Sequence, residues 1–174
     1  FVSVVKPSGM FEFLAIKAAR LAKGEPWKVM LLFVLLTAVL SAFLDNVTTV
    51  LLIGPMTLTV CKLLDVNPIP FFMTEILASN IGGTATLIGD PPNIMIGSAA
   101  GVTFFDFFRD DAPAVVVILA AVLVVFYFLD GRKMQVNEEQ RARIMERDEH
   151  AMIKNKRLLK QSYVMIGLVV VGFM

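Results

Sequence analysis

Ser79-Asn80-Ile81-Gly82-Gly83-Thr84-Ala85-Thr86-Leu87-Ile88-Gly89-Asp90-Pro91-Pro92-Asn93 is the stretch that decides the fold. It lies within an apolar segment from Pro70 to about Phe105, well beyond the roughly 20 residues that one helical crossing of the hydrocarbon needs. Gly-Gly, Gly-Asp and Pro-Pro in its middle cannot continue a regular helix, because proline removes an N–H donor and clashes with the preceding turn. Irregular backbone at membrane depth is tolerated only where protein or a water-filled cavity surrounds it. The sequence therefore predicts a broken transmembrane helix over 68–105 that lines a site.

Composition agrees with this reading. Of 174 residues 57% are hydrophobic and 18% charged, with mean hydropathy +0.75, whereas a soluble domain carries about 25% charge. Nine of the sixteen basic and six of the fifteen acidic residues fall between Asp130 and Lys160, leaving the rest almost bare. A net charge of +1 offers no surface for nucleic acid, and a lone Cys61 and a lone His150 exclude a disulfide framework or a zinc site built from them. The class is an all-α, polytopic membrane protein.

Upstream of the break, Val29–Leu44 and Asn46–Cys61 are uncharged for 16 residues each, joined by Asp45-Asn46. Arms of about 24 Å are short for a span. They suit a re-entrant helical hairpin over 27–64 with its tip inside the membrane, or else two tilted spans joined by a tight turn. Downstream, 112–129 reads as a conventional transmembrane helix with Pro113 in its first turn. Residues 1–26 read as the end of a transmembrane helix followed by an interfacial amphipathic helix, Met10 to Lys23. Residues 130–160 read as a solvated linker helix pairing Glu139 with Arg143, and 161–174 as the start of a further span. Both chain ends are apolar, which suggests a piece of a longer protein. By the positive-inside rule Lys17–Lys28 and the 130–160 linker are cytoplasmic, in an inner or plasma membrane, and Asp106–Asp111 is external.

Three ionisable residues lie in the apolar segments, where each needs a reason: Asp45, Glu75 and Asp90. Asp45 reads as an N-cap of the second hairpin arm, a site residue, or both. Glu75 lies a few residues past Pro70, where a snorkelling or interfacial role competes with a functional one. Asp90 sits where the helix must be open. Around these carboxylates stand Asn46, Thr48 and Thr49, then Ser79, Asn80, Thr84 and Thr86, then Asn93. Unwound segments expose carbonyls to cations, and half-helix N-termini present N–H groups to anions. Gly83 would allow close backbone approach or positive φ beside an ion. The competing reading is small-residue helix packing, which accounts for Gly97 and Gly101 but not for an Asp beside two prolines.

The segments SAFLDNVTTVLLIGPMTLTV (41–60) and ASNIGGTATLIGDPPNIMIGSAAG (78–101) resemble the ion transporter superfamily, in the branch that holds the melanocyte P protein, ArsB-like permeases and NhaD-type antiporters. Citrate and dicarboxylate/sodium symporters are more distant relatives, and the likeness covers roughly Gly9 to Leu129. It implies two inverted repeats, each with a re-entrant hairpin and a broken helix. It also implies elevator-type secondary transport by a homodimer, with this chain as the first repeat. Where the dicarboxylate symporters carry Ser-Asn-Thr, the first break here reads Asp45-Asn46-Val47-Thr48, and their Gly-Thr/Ser-Pro-Pro-Asn reads Gly89-Asp90-Pro91-Pro92-Asn93. Two extra carboxylates favour proton or sodium binding over a di- or tricarboxylate substrate.

The expected activity is secondary active ion transport rather than an enzyme's: a proton- or sodium-coupled anion permease, or a cation/proton antiporter. The expected substrate and ion site comprises Asp45, Asn46, Thr48, Ser79, Asn80, Gly82, Gly83, Thr84, Asp90, Pro92 and Asn93, with sodium at Asn46, Asn80 and Asp90. No cofactor is expected beyond sodium or a proton. The expected partners are membrane lipid, a small inorganic or organic ion and a second copy of the chain. Two other readings are an intramembrane aspartyl protease, whose Gly-x-Gly-Asp is here Leu87-Ile88-Gly89-Asp90, and a structural membrane subunit.

Overall fold

The computed structural model describes residues 10–146, together with positions 161 and 164. The expected helix end before Met10, the linker beyond Glu146 and the further span at 161–174 otherwise lie outside the described residues. Among these, the chain is helical without strands: α1 (Met10–Leu21), α2 (Pro26–Ser41), α3 (Asn46–Leu64), α4 (Ile69–Gly83), α5 (Pro91–Ala100), α6 (Phe104–Leu129), a 3-10 turn (Gly131–Lys133) and α7 (Glu138–Met145).

Boundaries follow local chemistry. Pro26 starts α2 at a position whose N–H would have no helical partner, and Lys23 and Gly24 adopt positive φ (52° and 65°) to leave α1. Asp65 closes α3 in the left-handed region, φ 53°, which Asp tolerates better than most residues. Gly101, φ 65°, closes α5, and Val102 N–H returns to the Gly97 carbonyl at 3.0 Å. Between Gly83 and Pro91 the chain is not helical, so the break occupies 84–90.

The core gathers Met30, Phe33 and Val34 of α2, Val60, Cys61 and Leu64 of α3, Phe71 and Ala78 of α4, and Ala15, Ile16 and Ala19 of α1. In lipid the hydrophobic effect does not drive helices together, and close contact between small residues does. The α2–α4 contact is of that kind: a Cβ on Gly82 would run into the Ala38 backbone.

Several expectations change. The helix carrying 112–129 begins at Phe104, where Thr103 caps it: its Oγ1 accepts from Asp106 N–H at 3.3 Å and donates to Asp106 Oδ2 at 2.5 Å. Asp106 to Asp111 thus occupy its first two turns, and Pro113 is interior rather than N-terminal. Hydropathy marks where a helix becomes apolar, not where it starts. The linker is not simply solvated. Glu139 and Arg143 pair at 2.9 Å as expected, but Ile144 is fully buried in the core cluster. One apolar anchor in an eight-residue helix leaves no periodicity to read. α1 turns Phe13, Ala15, Ile16 and Ala19 inward, so its apolar face is covered by the bundle.

Among the described residues, two helices are long and apolar enough to cross a membrane, Asn46–Leu64 and Phe104–Lys133. The second exposes Val116, Val117, Val124 and Phe128. α3 continues past Lys62 to Leu64, about 28 Å by helical rise, while α2 at 16 residues reaches about 24 Å, so the two arms are unequal.

Candidate functional site

The site grows from the backbone contact at Gly82. With α2 against α4, Ser41 Oγ donates to the Ser79 carbonyl at 2.6 Å. One step on, the Thr86 hydroxyl donates to the Ala42 carbonyl and accepts from Gly89 N–H at 3.1 Å. Gly89 packs on Gly83 so closely that a Cβ would strike the Gly83 backbone. Asn93, buried, donates from Nδ2 to the carbonyls of Thr86 (2.9 Å) and Gly83 (3.2 Å), tying the first turn of α5 to the last of α4. The break is therefore an ordered structure, tied by the Thr86 and Asn93 side chains rather than by a helical ladder.

The turn between α2 and α3 meets the break directly. Asn46 Nδ2 donates to Asn80 Oδ1 at 2.9 Å, while Asn80 Nδ2 donates to the Ile76 carbonyl at 2.8 Å. Asn46 Oδ1 accepts from Val47 N–H at 2.9 Å. These bonds leave lone pairs on both amide oxygens.

Asp45 and Asp90 both occupy N-cap positions, with different outcomes. Asp45 Oδ1 accepts from Thr48 N–H at 2.9 Å, the ordinary cap of α3. Asp90 makes no side-chain cap bond. Its helix opens on Pro91 and Pro92, which have no N–H, and the first donor, Asn93 N–H, already bonds the Asp90 carbonyl at 3.0 Å. The carboxylate, half-buried, lies beside Gly83: Oδ2 is 3.6 Å from where a Cβ on that glycine would be, and Ser41 Oγ is 3.5 Å from the same point.

The remaining expected residues divide. Thr84 Oγ1 bonds the Ile81 carbonyl of its own helix at 2.7 Å and is exposed. Thr48 contributes its backbone to the Asp45 cap. Pro92 is exposed, and what it contributes is the missing donor. Gly83 lacks positive φ, so its absent side chain provides room beside Asp90 and Ser41, not a left-handed conformation. Gly97 is a packing glycine under Leu87, as expected, but Gly101 faces open space and serves as a helix end.

Glu75 requires correction. It does not snorkel: its side chain is 0% exposed, packed inside the bundle. Thr57 Oγ1 of α3 donates to Glu75 Oε1 at 2.5 Å. Sequence reasoning also passes over Thr57 and Ser41, lone hydroxyls without a neighbouring polar residue to draw notice. The available signal is the register Phe71, Glu75, Ala78, Ser79, Gly82, one face of α4 with no surface position in it.

A family model described as citrate transporter matches residues 1–174. The chain belongs to the citrate transporter family. It is 46% identical over 172 residues to an uncharacterized transporter of Mycobacterium tuberculosis (strain H37Rv), a match over 99% of this chain and 40% of that protein. It is 45% identical over 172 residues to a 46 kDa membrane protein of Mycobacterium leprae, with the same coverage. To the human P protein it is 46% identical over 97 residues, 56% of this chain and 12% of that one. This citrate transporter family chain thus spans about two fifths of the mycobacterial relatives' length. Family and apolar helices together identify an integral membrane protein of a transporter family, not an enzyme family.

Proposed function

We propose that the α2–α3 turn and the 84–90 break form one half of the site of a secondary active ion transporter. The transporter is a proton- or sodium-coupled anion permease or a cation/proton antiporter, working by an elevator motion as a homodimer. The observations that carry the reading are the Thr86 hydroxyl's bond to the Ala42 carbonyl, which joins the break to the α2–α3 turn, and the Asn46–Asn80 bond at 2.9 Å, which joins the first turn of α3 to α4 just before the break. Beside Gly83 and Ser41, Asp90 keeps a carboxylate that makes no cap bond to a backbone N–H. Amide oxygens, break carbonyls and a free carboxylate are hard donors suited to sodium or a proton. The uncapped carboxylate is what a proton and a cation would compete for.

In this reading α2 and α3 form a re-entrant hairpin that starts and ends on the cytoplasmic face, with the 130–160 linker on the same side. Sodium lies among Asn46, Asn80 and Asp90, while Ser79, Gly82, Gly83, Thr84, Pro92 and Asn93 shape the cavity. Asp45 and Thr48 hold the turn. A second repeat supplies the other half. An aspartyl protease is disfavoured because the Asp45 carboxylate is engaged as a cap. The test is ion flux by the full-length protein in proteoliposomes, varying sodium, pH gradient and anions, citrate among them, one at a time. Flux driven by sodium or the pH gradient is expected. Absence of flux under every gradient would favour a structural subunit.

A further inference from the structure

Glu75 has no role in the site just described. It lies five residues before Asn80 on α4, about 7.5 Å lower along the axis, and is buried, with 0% exposure. Thr57 Oγ1 reaches Oε1 at 2.5 Å, and Oε2, equally buried, has no partner.

No described cation balances this carboxyl. On the helices packed against α4, Lys28 of α2 pairs with Glu25 at 2.6 Å. On α3, Lys62 is exposed, Asp45 caps its own helix, and the buried thiol of Cys61 is the titratable group facing Glu75. Asp106, Arg109 and Asp110 are exposed and Asp111 half-buried in the first turns of α6. An ionised carboxylate so buried, without counter-charge and with one hydroxyl partner, is strongly disfavoured. A dehydrated metal cation would need on the order of six oxygens. The two carboxyl oxygens and the Thr57 hydroxyl fall well short, and that hydroxyl is already directed at Oε1. A proton needs one oxygen, and Oε2 is left over.

We propose that Glu75, held by Thr57, is a second proton-binding site of the bundle, separate from Asp90 and connected to the break along the α4 face that carries Ser79 and Gly83. The proposal rests on the transporter reading only in that the proton is exchanged rather than permanently retained. In the protonated state Oε2 carries the hydrogen and Thr57 donates to Oε1; on release the proton leaves toward the break.

The test is infrared difference spectroscopy of the full-length protein in lipid vesicles as pH is cycled, reading the C=O stretch of a protonated, buried carboxyl. The band should disappear reversibly at high pH, be lost in Glu75→Gln, shift in Thr57→Val and persist in Asp90→Asn. A band unchanged by Glu75→Gln, or present at every pH, would overturn the proposal. Should Glu75→Gln not fold, a band unmoved by Thr57→Val would overturn it alone. The two readings fail separately: flux with a band indifferent to Glu75 sinks this inference, and the expected band without any flux sinks the transporter reading.

Discussion

The α2–α3 turn and the 84–90 break both end in an Asp at a helix N-cap, yet they use it in opposite ways. Asp45 precedes Asn46-Val47-Thr48 and its carboxylate is satisfied by Thr48 N–H. Asp90 precedes two prolines and has no donor to satisfy it. The same residue type at the same helical position thus acquires a different character from its C-terminal neighbours. A cap is a structural element; a cap-position carboxylate deprived of donors remains available to a ligand.

The largest effect that would break this contrast comes from filling the space around Asp90. Gly83→Val inserts atoms within about 3.2 Å of the Gly89 carbonyl and beside the Asp90 carboxylate, so flux should fall to background while the protein still inserts. Normal flux would reduce the break to a packing surface. Asn93→Leu comes next: it removes both bonds that anchor α5 and should cost about 1–3 kcal/mol for the carbonyls left unsatisfied, read as a lower thermal midpoint in detergent. An unchanged midpoint would mean the break is held elsewhere.

A smaller change would erase the difference itself. Pro92→Ala supplies an N–H at the second position of α5, where a capping donor is available to Asp90. The variant should be as stable as the parent or more so, with weakened flux, since the carboxylate is now engaged. Unaltered flux with a new cap would separate Asp90 from transport. The smallest effect is expected at Ser41→Ala, which loses the bond to the Ser79 carbonyl, about 0.6 kcal/mol by the average for interhelical bonds in membranes. A loss several times larger would show that this bond, rather than the Gly82–Ala38 contact, holds α2 to α4.

Much of this is legible in the sequence, for identifiable reasons. Gly-Gly, Gly-Asp and Pro-Pro forbid a regular helix wherever they occur, so the break and its polar residues can be read directly. Asp45 can be read as a cap because capping depends on residues within one turn. What cannot be read depends on partners distant in sequence. Glu75 resembles an interfacial acid until Thr57, 18 residues away, is known to face it. Ser41 is unremarkable until its acceptor, the Ser79 carbonyl, is identified across the α2–α4 contact, and Thr86, though legible as part of the polar break, shows its role only once the Ala42 carbonyl is known to accept from it. The start of α6 escapes a hydropathy reading because charged residues at an exposed helix end cost the helix little, while hydropathy scores them as outside the span.

The most direct test of the central claim compares Asp90→Asn with Asp45→Asn in the full-length protein, measuring flux in proteoliposomes across a pH and sodium series beside the thermal midpoint of each. Asparagine still caps a helix, so Asp45→Asn should keep the pH profile and most of the flux with a small change in midpoint. Asp90→Asn should keep the midpoint, alter the pH profile and the sodium response, and lower flux by about tenfold or more, equivalent to about 1.4 kcal/mol. A wild-type pH profile and sodium response in Asp90→Asn, with the losses falling on Asp45→Asn instead, would contradict the account.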